Sequence, residues 1–125
     1  MLAVEVTNRS GVAVDAEAAV ELCRRVAEAE GVLDGDLGLA FVPADEMRRL
    51  KREHLGVDEA TDVLSFPIDA REDVPGGVPR QLGDVVLCPE VAGEAWQAPL
   101  VHGLLHLLGY DHGDEMERRE ARLSA

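Results

Sequence analysis

The eleven residues from His102 to His112 constrain the fold of this chain most, because they distribute three histidines along a predicted helix and turn. Residues four apart share one face of a helix, so His102 and His106 point in the same direction. Gly109 then offers a helix stop, since glycine readily adopts the left-handed conformation that ends many helices. A chain that turns back at Gly109 brings His112 to the other two histidines. The segment therefore predicts a helix, a glycine turn and one shared ligand site.

Three of the four histidines in the chain lie in this segment, and neutral imidazole is a common zinc ligand. A histidine pair at helical spacing is more often packed or solvated than bound to a metal. Three imidazoles without a ligand in a leucine-rich segment, however, would each cost about 1–3 kcal/mol as buried polar groups without partners. We therefore predict one Zn²⁺ per chain, bound by His102, His106 and His112, with a fourth position left for water. Histidine ligation suits nickel and iron as well, so the spacing leaves the metal's identity open.

The histidine spacing also matches H-E-x-x-H-x-x-G-x-x-H, the ligand pattern of one class of zinc proteases, except at one position. The protease glutamate acts as the general base, and this chain has Gly103 in its place. Since glycine cannot accept a proton, the ligand pattern is retained without the protease chemistry. Another hydrolysis is indicated, and a zinc peptidase stays as the less favoured alternative.

Three sequence blocks resemble the YbeY family of bacterial zinc endoribonucleases. Segment 102–112 is similar to the family's H-G-x-L-H-L-x-G-Y-D-H, segment 56–67 to G-x-D-x-P-T-D-V-L-S-F-P, and segment 82–89 to L-G-D-I-V-I-C-P. The resemblance implies a zinc-dependent endoribonuclease specific for single strands, acting in 16S rRNA 3′-end maturation and ribosome quality control. It also implies single-stranded rRNA as substrate, and the ribosomal small subunit or an assembly factor as partner.

The chain departs from the family at one position before the second block. Family members carry Y-R-G there, whereas this chain has Leu55 in place of the arginine. The resemblance implies that this arginine is functionally important, and an arginine suits phosphate because its planar guanidinium matches two phosphate oxygens. Leucine cannot make that contact. Either Arg49, Arg52 or Arg80 reaches the site instead, or the chain is a non-catalytic, zinc-containing ribosome-assembly factor.

Two more residues are candidates for the site. Asp111 lies between two predicted ligands, where a carboxylate can hold a ligand imidazole or the metal-bound water; its alternative role is helix capping or a salt bridge. Ser65 lies in the second block and can bond a phosphate oxygen or, alternatively, satisfy backbone groups at a strand end. The predicted catalytic residues are therefore His102, His106, His112 and Asp111, and the predicted substrate-binding residues are Arg49, Arg52, Ser65 and Arg80. The nucleophile is either a zinc-bound hydroxide or the RNA 2′-hydroxyl.

Composition and charge limit the classes of function. No apolar run approaches the ~20 residues of a membrane span, and the first six residues lack the features of a secretory signal, so we expect a cytoplasmic protein without a membrane partner. Cys23 and Cys88 are predicted to be buried free thiols, with a disulfide as the alternative. The net charge of −13 opposes RNA binding, although four basic residues cluster at 48–52.

The order of secondary-structure signals predicts the fold class. We expect strands at 2–7, 37–42, 62–66 and 85–88, and helices at 16–30, 43–52, 89–97, 99–108 and 114–123. Pro99 requires a break between two of these helices, because proline in a helix interior costs about 3 kcal/mol. Residues 1–125 are therefore predicted to form one α+β domain, with a small mixed four-stranded sheet packed with about five helices. The zinc site is predicted to lie on a helix and the turn after it.

Overall fold

A computed structural model describes residues 2–70, 72, 74–76 and 78–124. Its four strands are β1 (Ala3–Asn8), β2 (Asp36–Phe41), β3 (Val63–Pro67) and β4 (Gln81–Leu87). They form one sheet in the order β1-β2-β4-β3, in which β1, β2 and β4 are parallel and β3 runs antiparallel to β4. The prediction of a mixed four-stranded sheet is confirmed, and β3 lies at one edge of it.

The described residues contain five helices, as predicted. They are α1 (Ala16–Ala29), α2 (Ala44–Leu55), α3 (Pro89–Ala92), α4 (Gln97–Leu107) and α5 (Asp114–Ser124). The predicted start of α1 is confirmed, because the Asp15 carboxylate accepts a hydrogen bond of 3.0 Å from the Ala18 N–H. No helix in the described ranges is both long enough and apolar enough to cross a membrane.

Three predicted boundaries are wrong by three residues or more. The helix expected at 89–97 has only four residues, because the chain leaves helical geometry at Gly93, where φ is 69°. Strand β4 begins at Gln81 rather than at Val85, since its pairing with β2 extends further than the alternation of apolar residues suggested. Helix α2 continues to Leu55, three residues beyond the predicted end, and stops at Gly56, where φ is 72°.

A break separates the two helices, as predicted, but it lies at residues 93–96 rather than next to Pro99, and α4 starts two residues earlier than expected, at Gln97. Pro99 is then the third residue of α4. The first N–H groups of a helix have no partner within the helix, so a proline there removes no helical hydrogen bond. The proline therefore lies inside α4 without breaking it.

Helices cover the two faces of the sheet unequally. Helix α4 packs against β3, β4, α1 and α5, while α2 covers the opposite face through the buried Met47. Because α4 has neighbours on several sides, its apolar residues are not confined to one stripe. Its fully buried side chains are Leu100, Val101, Leu105 and Leu107. Cys23 and Cys88 are free and buried, as predicted.

Candidate metal site

The turn after α4 has the hydrogen-bond pattern of a Schellman motif. The Gly109 N–H donates to the His106 carbonyl and the Tyr110 N–H donates to the Leu105 carbonyl, each at 3.0 Å. Gly109 has a φ of 105°, which residues with a Cβ rarely adopt. The glycine thus ends the helix where the sequence predicted and reverses the chain.

The three predicted ligand histidines converge. Candidate ligand atoms of His102, His106 and His112 lie within 4.8 Å of one another, and the Nε2 atoms of His106 and His112 are 3.2 Å apart. The ring centroids are separated by 4.5 to 5.2 Å. This geometry matches a site in which three imidazoles share one metal ion.

The other ring nitrogens of two histidines are occupied by the protein. His102 Nδ1 lies 2.9 Å from the Glu120 carboxylate on α5, and His106 Nδ1 donates to the Tyr110 carbonyl at 2.9 Å. With Nδ1 engaged, Nε2 of each ring is left for a metal, which is the usual arrangement around a metal-bound imidazole. The donor set therefore fits Zn²⁺, which favours histidine nitrogens in tetrahedral sites.

Asp111 is exposed, and no hydrogen bond within the described ranges joins it to an imidazole. The partner of His102 is Glu120 instead. Burial lowers the pKa of His106, the neighbouring His102 and His112 lower it further, and the Tyr110 carbonyl and Asp111 partly oppose them. A lowered pKa keeps this imidazole neutral, the form that binds metals.

A buried carboxylate fixes the turn between the ligands. The Glu30 side chain is 1% exposed and accepts hydrogen bonds of 2.6 Å from the Tyr110 hydroxyl and from Arg119. The Arg119 guanidinium also lies 5.0 Å from the centre of the Tyr110 ring. A charge this deeply buried needs such partners, because an unpaired one would cost several kcal/mol. The network ties the turn to α1 and α5.

Gly103 is required by close packing of α4 on the sheet. A Cβ atom built on Gly103 would lie 2.6 Å from Val63 Cγ2 and 3.1 Å from Val85 Cγ1. The Ser65 hydroxyl, 3.3 Å from that point, donates to the Gly103 carbonyl at 2.6 Å. Residue 103, where the proteases have their glutamate, is therefore packed against the side chains of the sheet. The Ser65 hydroxyl thus forms a hydrogen bond with a backbone carbonyl, which is the alternative to phosphate binding considered for it.

A cleft of about 520 Å³ runs beside the histidines along the edge strand β3. Ser65 and the carboxylate-bearing Asp62 line it from the sheet. Lys51 and Leu55 line it from α2, one helical turn apart, and the Leu55 side chain is 61% exposed. The leucine at the family's arginine position thus lines the same cleft as the three histidines.

The three arginines proposed to replace that arginine lie elsewhere. Arg49 lines a groove on the other face of the sheet and is 3.9 Å from Glu53. Arg52 is 3.6 Å from Asp58. Arg80 pairs with Asp34 at 2.9 Å in a separate hollow at the start of β4. None of the three lines the histidine cleft.

Sequence reasoning missed two residues at the site, Lys51 and Glu120. Lys51 precedes Leu55 by four residues, so both lie on one face of α2, but the predicted helix ended at residue 52 and left Leu55 outside it. Glu120 follows His102 by 18 residues, and its contact depends on how α5 packs against α4. No local sequence signal identified Glu120 among the several acidic residues of that helix.

Comparisons with known proteins agree with these features. The sequence model of one family, described as endoribonuclease YbeY, matches residues 5–123. The endoribonuclease YbeY of Salinispora tropica is 37% identical over 95% of this chain and 88% of its own length. That of Tropheryma whipplei strain Twist is 48% identical, over 67% of this chain and 56% of its own length. The solution structure of TM1509 from Thermotoga maritima has a TM-score of 0.62 and 27% identity, covering 97% of this chain and 86% of that one.

Proposed function

Because the chain belongs to the YbeY endoribonuclease family, we propose that it is a zinc-dependent endoribonuclease that cleaves single-stranded RNA. Convergence of His102, His106 and His112 beside an open cleft is the observation that carries this proposal. The proposed biological role is 16S rRNA 3′-end maturation and ribosome quality control in the cytoplasm, together with the small subunit or an assembly factor. Two buried free thiols, Cys23 and Cys88, support a reducing compartment.

The residues around the proposed zinc site have distinct tasks. When bound, Zn²⁺ lowers the pKa of its water toward ~7 and polarises a phosphoryl oxygen. Glu120 and the Tyr110 carbonyl engage the Nδ1 atoms of His102 and His106, which leaves Nε2 of each ring to bind the metal while these contacts are kept. Asp111 is proposed to orient the attacking water through its charge. Cleavage of a 2′-O-methylated strand distinguishes this water from the RNA 2′-hydroxyl as the nucleophile.

A non-catalytic assembly factor is the second candidate, and Leu55 is the observation that favours it. In that case the three histidines hold a structural metal and the cleft serves only as a docking surface. A peptidase is disfavoured, because Gly103 provides no base and the packing around it has no room for a glutamate without displacing α4.

The test combines metal content with RNA cleavage. We expect one zinc per chain in the purified protein and cleavage of a fluorescent single-stranded RNA that stops with a chelator and returns with zinc. A duplex of the same sequence should resist, and a 2′-O-methylated strand should resist only if the 2′-hydroxyl is the nucleophile.

The variants separate the two candidates. His106→Ala should lose both zinc and cleavage, since it removes the central ligand, and retained stoichiometric zinc would contradict the three-histidine assignment. Stoichiometric zinc without cleavage in the native chain, followed by cleavage in Leu55→Arg, would instead support the assembly factor. Cleavage in the native chain means that a group other than residue 55 already contacts the phosphate.

A further inference from the structure

We propose that Lys51 binds a substrate phosphate in the histidine cleft and so replaces the family's missing arginine; this inference rests on the proposed function. The chain has a single lysine, and it lies on α2 one helical turn before Leu55. Its side chain is 16% exposed and lines the same cleft as His102, His106 and His112. The side chain is therefore largely buried and forms part of the wall of the cleft that contains the three histidines.

The arginines of α2 do not line this cleft. Arg48 makes a two-pronged contact with Asp58, at 2.7 and 3.1 Å, and Arg52 lies near the same carboxylate. Arg49 lines the groove on the far face of the sheet. Among the described residues lining the histidine cleft, Lys51 is the only lysine or arginine. The placement of these side chains, rather than the number of basic residues, selects Lys51.

An exposed carboxylate holds the ammonium group until RNA enters. Lys51 Nζ donates to Glu59 at 3.0 Å, and the Glu59 side chain is 64% exposed. An ion pair with so exposed a partner contributes little stability, so a phosphodiester can displace it at small cost. Lysine binds phosphate as a point charge with three donors and needs no fixed orientation. Glu59 thus competes with the phosphate for Lys51.

The experiment measures binding of a fluorescein-labelled single-stranded RNA of about ten nucleotides to zinc-loaded protein over a range of salt concentrations. Lys51→Met should weaken binding about tenfold. It should also reduce the salt slope by about 0.7, the value for one phosphate contact on a single strand. The matched control is Arg48→Met, which removes the same charge three residues away, outside the residues that line the cleft, and should change the affinity and the salt slope much less. Adding Leu55→Arg to Lys51→Met should restore binding, and Glu59→Gln should strengthen it.

A second measurement uses the native sequence and does not depend on a variant folding. Reductive ¹³C-methylation keeps the lysine charge and gives one lysine resonance, because Lys51 is the only lysine. That resonance should shift on addition of the RNA and stay unchanged with a neutral-backbone analogue of the same sequence. A lysine signal that does not respond to RNA bound by the native protein would overturn the proposal.

The outcomes separate this inference from the proposed function. RNA that binds through Lys51 but is never cleaved would support the inference and reject the nuclease. Cleavage with unchanged affinity, salt slope and rate in Lys51→Met would reject the inference alone. If the zinc-loaded native protein neither binds nor cleaves single-stranded RNA, both are rejected.

Discussion

Replacing Gly103 by alanine tests whether packing against the sheet, rather than flexibility, explains this glycine. The new Cβ would lie 2.6 Å from Val63 Cγ2, whereas carbon atoms in contact normally lie about 3.5–4.0 Å apart. Helix α4 must therefore move by roughly 1 Å, or Val63 must repack. Overpacking of this kind costs about 1–3 kcal/mol.

Helix propensity acts in the opposite direction. Alanine is more favourable than glycine inside a helix by about 1 kcal/mol. The two effects leave a net loss of about 1 kcal/mol in the free energy of unfolding, taking the middle of the packing range. Zinc affinity should fall as well, because His102 and His106 are on the helix that must shift.

Urea denaturation of the metal-free protein measures the stability, and competition with a chromophoric chelator measures the zinc affinity. Ala121→Gly, at an exposed position of α5, calibrates the propensity effect in this chain. In a Val63→Ala background, which removes the nearest contact, Gly103→Ala should cost less than in the native chain. A stability increase in the single variant would refute the packing argument, since propensity alone would then decide the outcome.

Two electrostatic predictions concern other contacts. Glu120→Gln removes the carboxylate beside His102 Nδ1 and should weaken zinc binding about 10–100-fold. Competition with a chelator measures this affinity, and Glu117→Gln, at an exposed position of α5, is the control that should leave it unchanged. Arg9 holds the pKa of Glu46 below its usual range through a hydrogen bond of 2.7 Å. Because the pKa of Glu46 is lower in the folded state, the ion pair stabilises the fold fully at pH values above 4.5, the pKa of the unfolded state. This stabilisation is lost as the pH falls through the folded-state pKa. Arg9→Met should therefore lower the free energy of unfolding by up to about 1 kcal/mol at pH 7 and by almost nothing near pH 2; an equal loss at both pH values would contradict the assignment.

The convergence of the three histidines could be predicted because its causes are local. Helical spacing sets His102 beside His106, and the conformational preference of Gly109 sets the turn. The start of α1 at Asp15 was predictable for the same reason, since the cap bonds only three residues ahead. Helical spacing, glycine turns and helix caps each depend on a few consecutive residues, so the sequence alone reveals them.

Features that depend on long-range packing could not be predicted in the same way. The edge position of β3 depends on pairing with β4 across a connection of 13 residues, from 68 to 80. The cluster of charged residues in α2 led to the prediction that Arg49 or Arg52 binds phosphate. Which face of α2 lines the cleft is instead determined by the burial of Met47 against the sheet. Lys51 was overlooked because charge alone does not identify that face.

The contacts of α5 have a consequence for the whole domain. This helix supplies Glu120, which contacts the candidate ligand His102. Its Arg119 donates a hydrogen bond to Glu30, and Glu30 also accepts one from Tyr110, in the turn before His112. At the proposed metal site, metal binding and docking of α5 would therefore be thermodynamically linked. Linkage is reciprocal, so the helix would contribute to metal affinity the same free energy that the metal contributes to docking of the helix. Under the proposed zinc site, removing the metal should loosen α5 before the rest of the fold opens, and proteolysis of the metal-free protein should begin at that helix.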